Sequence, residues 1–127
     1  MAVQAVLADK PRDGWAYTIG RMRRGLPELV VLGLDPYVAQ NLLNFIDENW
    51  DDVLNGDHDD SWQLIPIPDR IWETTTYLAG ADRDAEERNL ERLAMQVVWA
   101  DDEEGFPWDP DFDRKVAKPQ RILGLLP

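Results

Sequence analysis

Glu28 to Gly56 reads ELVVLGLDPYVAQNLLNFIDENWDDVLNG, and its two halves ask for different structures. The first seven residues are apolar at both parities. Val30, Leu32 and Leu34 fall on one side of an extended chain, and Leu29 and Val31 fall on the other. A strand covered on both faces carries this pattern. Gly33 inside it marks a bulge or a close neighbour. Asp35 then supplies a helix N-cap. Pro36 fits the first helical position, where its missing N–H costs nothing. Val38, Leu42, Phe45, Ile46, Trp50, Val53 and Leu54 recur at helical spacing, so one amphipathic helix is expected over Pro36–Leu54, with Leu42, Phe45 and Ile46 against a sheet. Asn55-Gly56 is a left-handed stop.

Outward from this stretch the chain alternates strands and turns. Ala2–Leu7 is a short strand with Val3, Ala5 and Leu7 on one face, and the turn formers Asp9 to Gly14 follow it. Trp15, Tyr17 and Ile19 alternate, which suits a second strand pairing with the first as a hairpin. Trp62–Ile67 is a short strand that Pro66 and Pro68 restrict to an edge. Asp69–Gly80 is ambiguous, because three consecutive Thr oppose the helical face of Ile71, Thr75 and Leu78. A helix is expected over Asp84–Leu93, with Leu90 and Leu93 inward, and a strand over Met95–Ala100. The expected fold is α+β: a single domain over residues 1–127 with an antiparallel-leaning sheet of about five strands, one long helix and one or two shorter ones. Residues 113–127 form a tail.

Composition sets the functional limits. The chain has 127 residues, 44% of them hydrophobic and 30% charged, enough for one packed core. Asp and Glu number 25 against 13 Lys and Arg, a formal charge of −12. That balance opposes generic binding to nucleic acid or to anionic membranes, both of which need a basic face. There is no Cys, so disulfides, thiolate zinc sites and cysteine nucleophiles are excluded. His58 is the one histidine, and Ser61 has no base beside it in sequence, so neither a two-histidine site nor a serine hydrolase is indicated. No apolar run approaches the ~20 residues of a membrane span. Met1–Ala8 is too short for a signal peptide and has no basic start. A cytoplasmic protein without cofactor or metal is expected.

WAYTIG at Trp15–Gly20, PELVVLGL at Pro27–Leu34, MQVVWAD at Met95–Asp101 and GFPWDPDF at Gly105–Phe112 together resemble the bacterial family known as domain of unknown function 4262. The resemblance runs from about Val3 to Phe112 with the motifs in order. Members often carry His before the Pro-Glu pair, where this chain has Leu26. They often end in a Gln-Pro-Leu type tail, where this chain has Lys118-Pro119-Gln120-Arg121-Ile122. The family brings no established activity with it, so the resemblance implies architecture rather than reaction.

Several constellations are candidates for function. Glu28 opens a strand buried on both sides, and a buried carboxylate needs partners. With Tyr17 and Gln96 it either forms a ligand pocket or a satisfied structural network. Trp108, in the rigid Phe106-Pro107-Trp108-Asp109-Pro110 loop, is either a binding anchor or part of a lid on the sheet. Asp47, Glu48, Asp51 and Asp52 form the acidic face of the long helix. Two of them lie near its C-terminus, where the helix dipole disfavours negative charge. Such a local conflict marks either a partner surface or a solvated face. The acidic stretches Asp57–Asp60 and Asp101–Glu104 lack calcium-loop spacing and read as solvated turns. Arg21, Arg23 and Arg24 are either a grip for a phosphate or acidic partner, or an exposed loop balancing the protein's own acids. Two function classes result. One is a non-enzymatic interaction protein that takes a basic partner on its acidic surface. The other is a small-molecule binder or enzyme with a site around Glu28.

Overall fold

Glu28–Leu32 is the strand that organises the domain, and every one of its residues is buried. In the computed structural model, which describes residues 1–7, 14–58, 61–74, 77–100, 106–109 and 120–125, this strand (β3) follows β1 (Ala2–Val6) and β2 (Trp15–Ile19). Helices α1 (Pro36–Glu48) and α2 (Trp50–Leu54) come next. Then follow β4 (Trp62–Pro66), α3 (Asp69–Thr74), α4 (Ala79–Arg88) and β5 (Ala94–Trp99). The five strands form one sheet in the order β1-β2-β3-β5-β4. Three neighbouring pairs are antiparallel, and β3 with β5 is parallel. The fold is α+β, with the N-terminal hairpin, a central β3 and β4 at an edge as the sequence pattern requires.

The two parities of β3 pack against different helices. Leu29 and Val31 share a cluster with Ala39, Leu43 and Ile46 of α1 and with Trp50 and Val53 of α2. Val30 and Leu32 lie in a second cluster with Trp72 of α3, Leu78, and Ala81 and Ala85 of α4. Helices therefore cover both faces, which explains why β3 is apolar throughout.

The long helix differs from expectation in two ways. It is interrupted at Asn49, whose side-chain amide and backbone N–H both donate to the Phe45 carbonyl, at 2.9 and 3.1 Å. It is also rotated. The buried stripe is Ala39, Leu43, Ile46, Trp50 and Val53, while Phe45 is 50% exposed and Val38 and Leu54 face solvent. Leu42 is half-buried. Ala39 shares its cluster with Ala16 of β2, so two small residues let α1 lie close to the sheet at that point. That approach fixes the rotation, and Phe45 is left outside it. The ends behave as read. Asp35 accepts from the Tyr37 N–H at 2.9 Å. Gly56, at φ +76°, closes α2 with hydrogen bonds from Gly56 N to Val53 O and from Asp57 N to Asp52 O.

The helix expected over Asp84–Leu93 lies earlier, at Ala79–Arg88, and Asn89 ends it in a left-handed conformation with φ 53°. Leu90 follows the helix rather than riding on it, yet still packs on the second cluster. Ala79, Gly80 and Ala81 give little apolar signal in sequence. A Cβ on Gly80 would sit 2.8 Å from the Tyr17 hydroxyl, so close approach to the sheet selects the small residue. Part of the tail is docked: Gln120 and Leu123 are buried against the sheet. The stretches 101–105 and 110–119 lie outside the described residues. No helix among the described residues is long and apolar enough to cross a membrane.

Candidate functional site

Glu28 is fully buried, and its carboxylate accepts four hydrogen bonds. Oε1 takes the Thr18 hydroxyl at 2.7 Å and the Arg21 N–H at 3.0 Å; Oε2 takes the N–H groups of Gly20 and Met22 at 3.0 and 3.1 Å. Three consecutive backbone amides thus wrap an internal anion, in the manner of an anion-binding nest. Thr18 also accepts from the Leu29 N–H at 2.9 Å, which ties the start of β3 to β2. The carboxylate shapes the β2–β3 connection, and its acceptor positions are occupied.

The residues grouped with Glu28 in the sequence lie in separate networks. The Tyr17 hydroxyl accepts from the Gly80 N–H at 2.9 Å and joins β2 to α4. The Gln96 amide holds the C-terminal segment: Nε2 donates to Arg121 O at 2.7 Å, and Oε1 accepts from the N–H groups of Leu123 and Gly124. Gln120 does the reciprocal work, pairing with both the N–H and the carbonyl of Trp99. Trp108 stacks on Phe106 with ring centroids 5.1 Å apart, beside Ile65, Val98 and Ile122, and covers the edge of the sheet.

Arg23 and Arg24 are exposed and pair with the protein's own acids, whereas Arg21 leaves the surface. Arg21 is fully buried, pairs with Asp47, donates from Nε to Pro27 O at 2.7 Å and lies 4.2 Å from the Trp50 ring centroid. Burial draws its guanidinium below the usual arginine value, and the Asp47 hydrogen bond and charge draw it back. The indole face supplies further cation stabilisation. Arg24 also pairs with Asp47, at 2.9 Å. Arg23 reaches Asp84 through two nitrogens, at 3.0 and 2.5 Å, joining the connection to α4. Sequence reasoning did not pair Thr18 with Glu28 and missed the burial of Arg21. A basic triplet gives no local sign that one member will meet a distant Trp and Asp.

Of the acidic face, Asp47 is therefore half-buried and neutralised, whereas Glu48, Asp51 and Asp52 are exposed. The break at Asn49 places Asp51 and Asp52 in the first turn of α2, so the conflict with the helix dipole is largely removed. These acids line a hollow of about 480 Å³ together with Leu26 and Trp50. A second hollow, of about 700 Å³, lies between α3, α4 and the chain entering β5. Asp69, Trp72, Glu73, Asp82 and Arg92 are among its lining residues, and none of them was singled out as a site in the sequence. His58 stacks on Trp62 at 4.0 Å, while Asp59 and Asp60 lie outside the described residues. No group of acids or His among the described residues is arranged to hold a metal ion.

The family model for a domain of unknown function, DUF4262, matches residues 1–113. The chain belongs to that family. No curated protein and no solved structure matches it. The DUF4262 match spans all five strands and all four helices, and it includes Glu28 with the Thr18 and Gly20–Met22 donors around it. The docked segment Gln120–Leu125 lies beyond the matched residues.

Proposed function

We propose that the protein is a non-enzymatic interaction protein that takes a basic partner on the acidic face formed by the end of α1 and by α2. The observation that carries this reading is the charge balance of the hollow there. Arg21 and Arg24 neutralise Asp47, but Glu48, Asp51 and Asp52 have no ion pair among the described residues. Leu26 and Trp50 contribute apolar surface to the same hollow. A hollow that combines acidic and apolar surface suits a protein partner, with charge setting the encounter rate and the apolar contact the residence time.

The test is affinity capture from the native host's lysate. The wild-type chain is compared with a variant carrying Glu48→Gln, Asp51→Asn and Asp52→Asn. Asp47 is left intact because it anchors Arg21. A basic partner retained by wild type should be lost by the variant and released by raised salt. Capture indifferent to both changes counts against the acidic face. The second reading, a small-molecule site at Glu28, requires a ligand to displace one of the four donors that already occupy the carboxylate.

A further inference from the structure

Apart from the acidic face of α1 and α2, the hollow between α3, α4 and the Leu90–Leu93 segment joins three features that call for a ligand. The first is charge. Asp82 is paired with Arg92 at 2.5 Å, which leaves Asp69, Glu73 and Glu91 exposed and without an ion pair among the described residues. The second is the apolar part of the lining, contributed by Trp72, Leu90 and Leu93. The third is Trp72 itself. It forms part of the wall, it is only 7% exposed, and its indole N–H has no acceptor among the described residues. Buried donors in native proteins are nearly always paired, so this one points to an acceptor that arrives from outside.

We propose that this hollow binds a long basic side chain, of the arginine or lysine type, that carries a carbonyl acceptor at the base of its stem. Each part of such a ligand answers one feature. The charged head meets Asp69, Glu73 and Glu91. The methylene stem lies on Leu90, Leu93 and the indole, as long basic side chains cover apolar surface elsewhere. The carbonyl takes the Trp72 N–H after a small shift of the ring, because that N–H is covered in the unliganded protein. A bare metal ion leaves the apolar lining and the Trp72 N–H unanswered, and no three of the acidic groups among the described residues converge to hold one. A volume of about 700 Å³ is within the range of small-ligand sites. The ligand is either a free amino-acid derivative or one basic residue of a peptide, since both present the same head, stem and carbonyl.

The test follows the Trp72 indole N–H resonance of the full chain, assigned by its loss in Trp72→Phe. Three probes are titrated: argininamide, agmatine and an acetylated, amidated Gly-Arg-Gly peptide. Agmatine keeps the head and stem of argininamide but has no carbonyl. Argininamide should move the Trp72 resonance, and agmatine should bind about tenfold more weakly, through the unpaired donor it leaves behind. Tighter binding of the peptide than of argininamide identifies a peptide source, and weaker binding a free small molecule. The double variant Glu73→Gln with Glu91→Gln changes only exposed side chains and should weaken argininamide about tenfold by removing charge-assisted contacts. The Glu48, Asp51 and Asp52 variant should bind argininamide as wild type does, whatever becomes of the basic partner. A Trp72 resonance unmoved by argininamide and by the peptide overturns the proposal. So does argininamide binding that survives the Glu73 and Glu91 changes, or that is lost with Glu48, Asp51 and Asp52.

Discussion

Glu28 is the residue on which structural and functional roles separate. A carboxylate in a pocket keeps an acceptor position for its ligand. This one spends both oxygens on Thr18 and on the amides of Gly20, Arg21 and Met22. Glu28→Gln puts an amide NH2 where one oxygen stood. That group then faces N–H donors from Gly20 and Met22, or from Arg21 and the Thr18 hydroxyl if the side chain flips. Each buried donor left unpaired costs about 1–3 kcal/mol. Two such donors set an expected loss of at least about 2 kcal/mol. Denaturant unfolding of Glu28→Gln beside wild type measures it. An unchanged unfolding midpoint would show that the carboxylate is not the post around which the β2–β3 connection is wound. Three of its donors, Gly20, Arg21 and Met22, contribute only backbone amides. Their identity gives no clue in sequence, which is why Glu28 was legible as a buried acid while its partners were not.

At the scale of elements, the rotation of α1 yields a paired prediction. Ile46 is fully buried on the sheet, and its neighbour Phe45 is half exposed. Ile46→Ala should cost about 2–5 kcal/mol, the range for a packed aliphatic side chain reduced to a methyl. Phe45→Ala should cost much less, despite the larger residue removed. Thermal melts of the two variants decide the matter, and a larger loss for Phe45→Ala would mean that the helix lies on its other stripe. The strands were legible because their signal is local: Leu29 to Leu32 are apolar at both parities whatever packs on them. The helix was legible in its start at Asp35-Pro36 and its stop at Gly56, which are also local. Its rotation was not, because apolar residues occupy more than one stripe and the choice depends on Ala16, twenty-three residues before Ala39. The start of α4 was hidden for the same reason, since Ala79-Gly80-Ala81 become informative only once Tyr17 lies beneath them. The hollow at Trp72 draws on α3, α4 and the segment before β5, and no stretch of sequence shows that convergence.

Across the whole molecule the charges are unevenly shared. Among the described residues, Arg21, Arg23, Arg24, Arg88 and Arg92 are paired with only three carboxylates: Asp47, Asp82 and Asp84. With 25 acids against 13 basic residues, this concentration leaves other acidic surface without counter-charge. The resulting self-repulsion destabilises the compact state near neutral pH, and acid relieves it. One contribution runs the other way. Asp84 lies below the usual carboxylate value of 3.8, chiefly through the Arg23 hydrogen bonds; burial opposes them, and the Arg88 hydrogen bond adds to the lowering. A carboxylate depressed on folding adds stability that is present above its unfolded value and is lost as pH falls through its folded value. Relief of repulsion masks this loss in the wild-type curve, so the informative quantity is the difference between wild type and Asp84→Asn. The variant keeps the size of the side chain and abolishes its titration. Wild type should be the more stable of the two across the range above about pH 5, and the gap should narrow as pH falls below 3.8. Denaturant unfolding from about pH 6 to about pH 2.5 reads both limbs. A gap that stayed constant into acid would mean that the charge on Asp84 contributes nothing, and that Arg23 holds α4 to the β2–β3 connection through hydrogen-bond geometry alone.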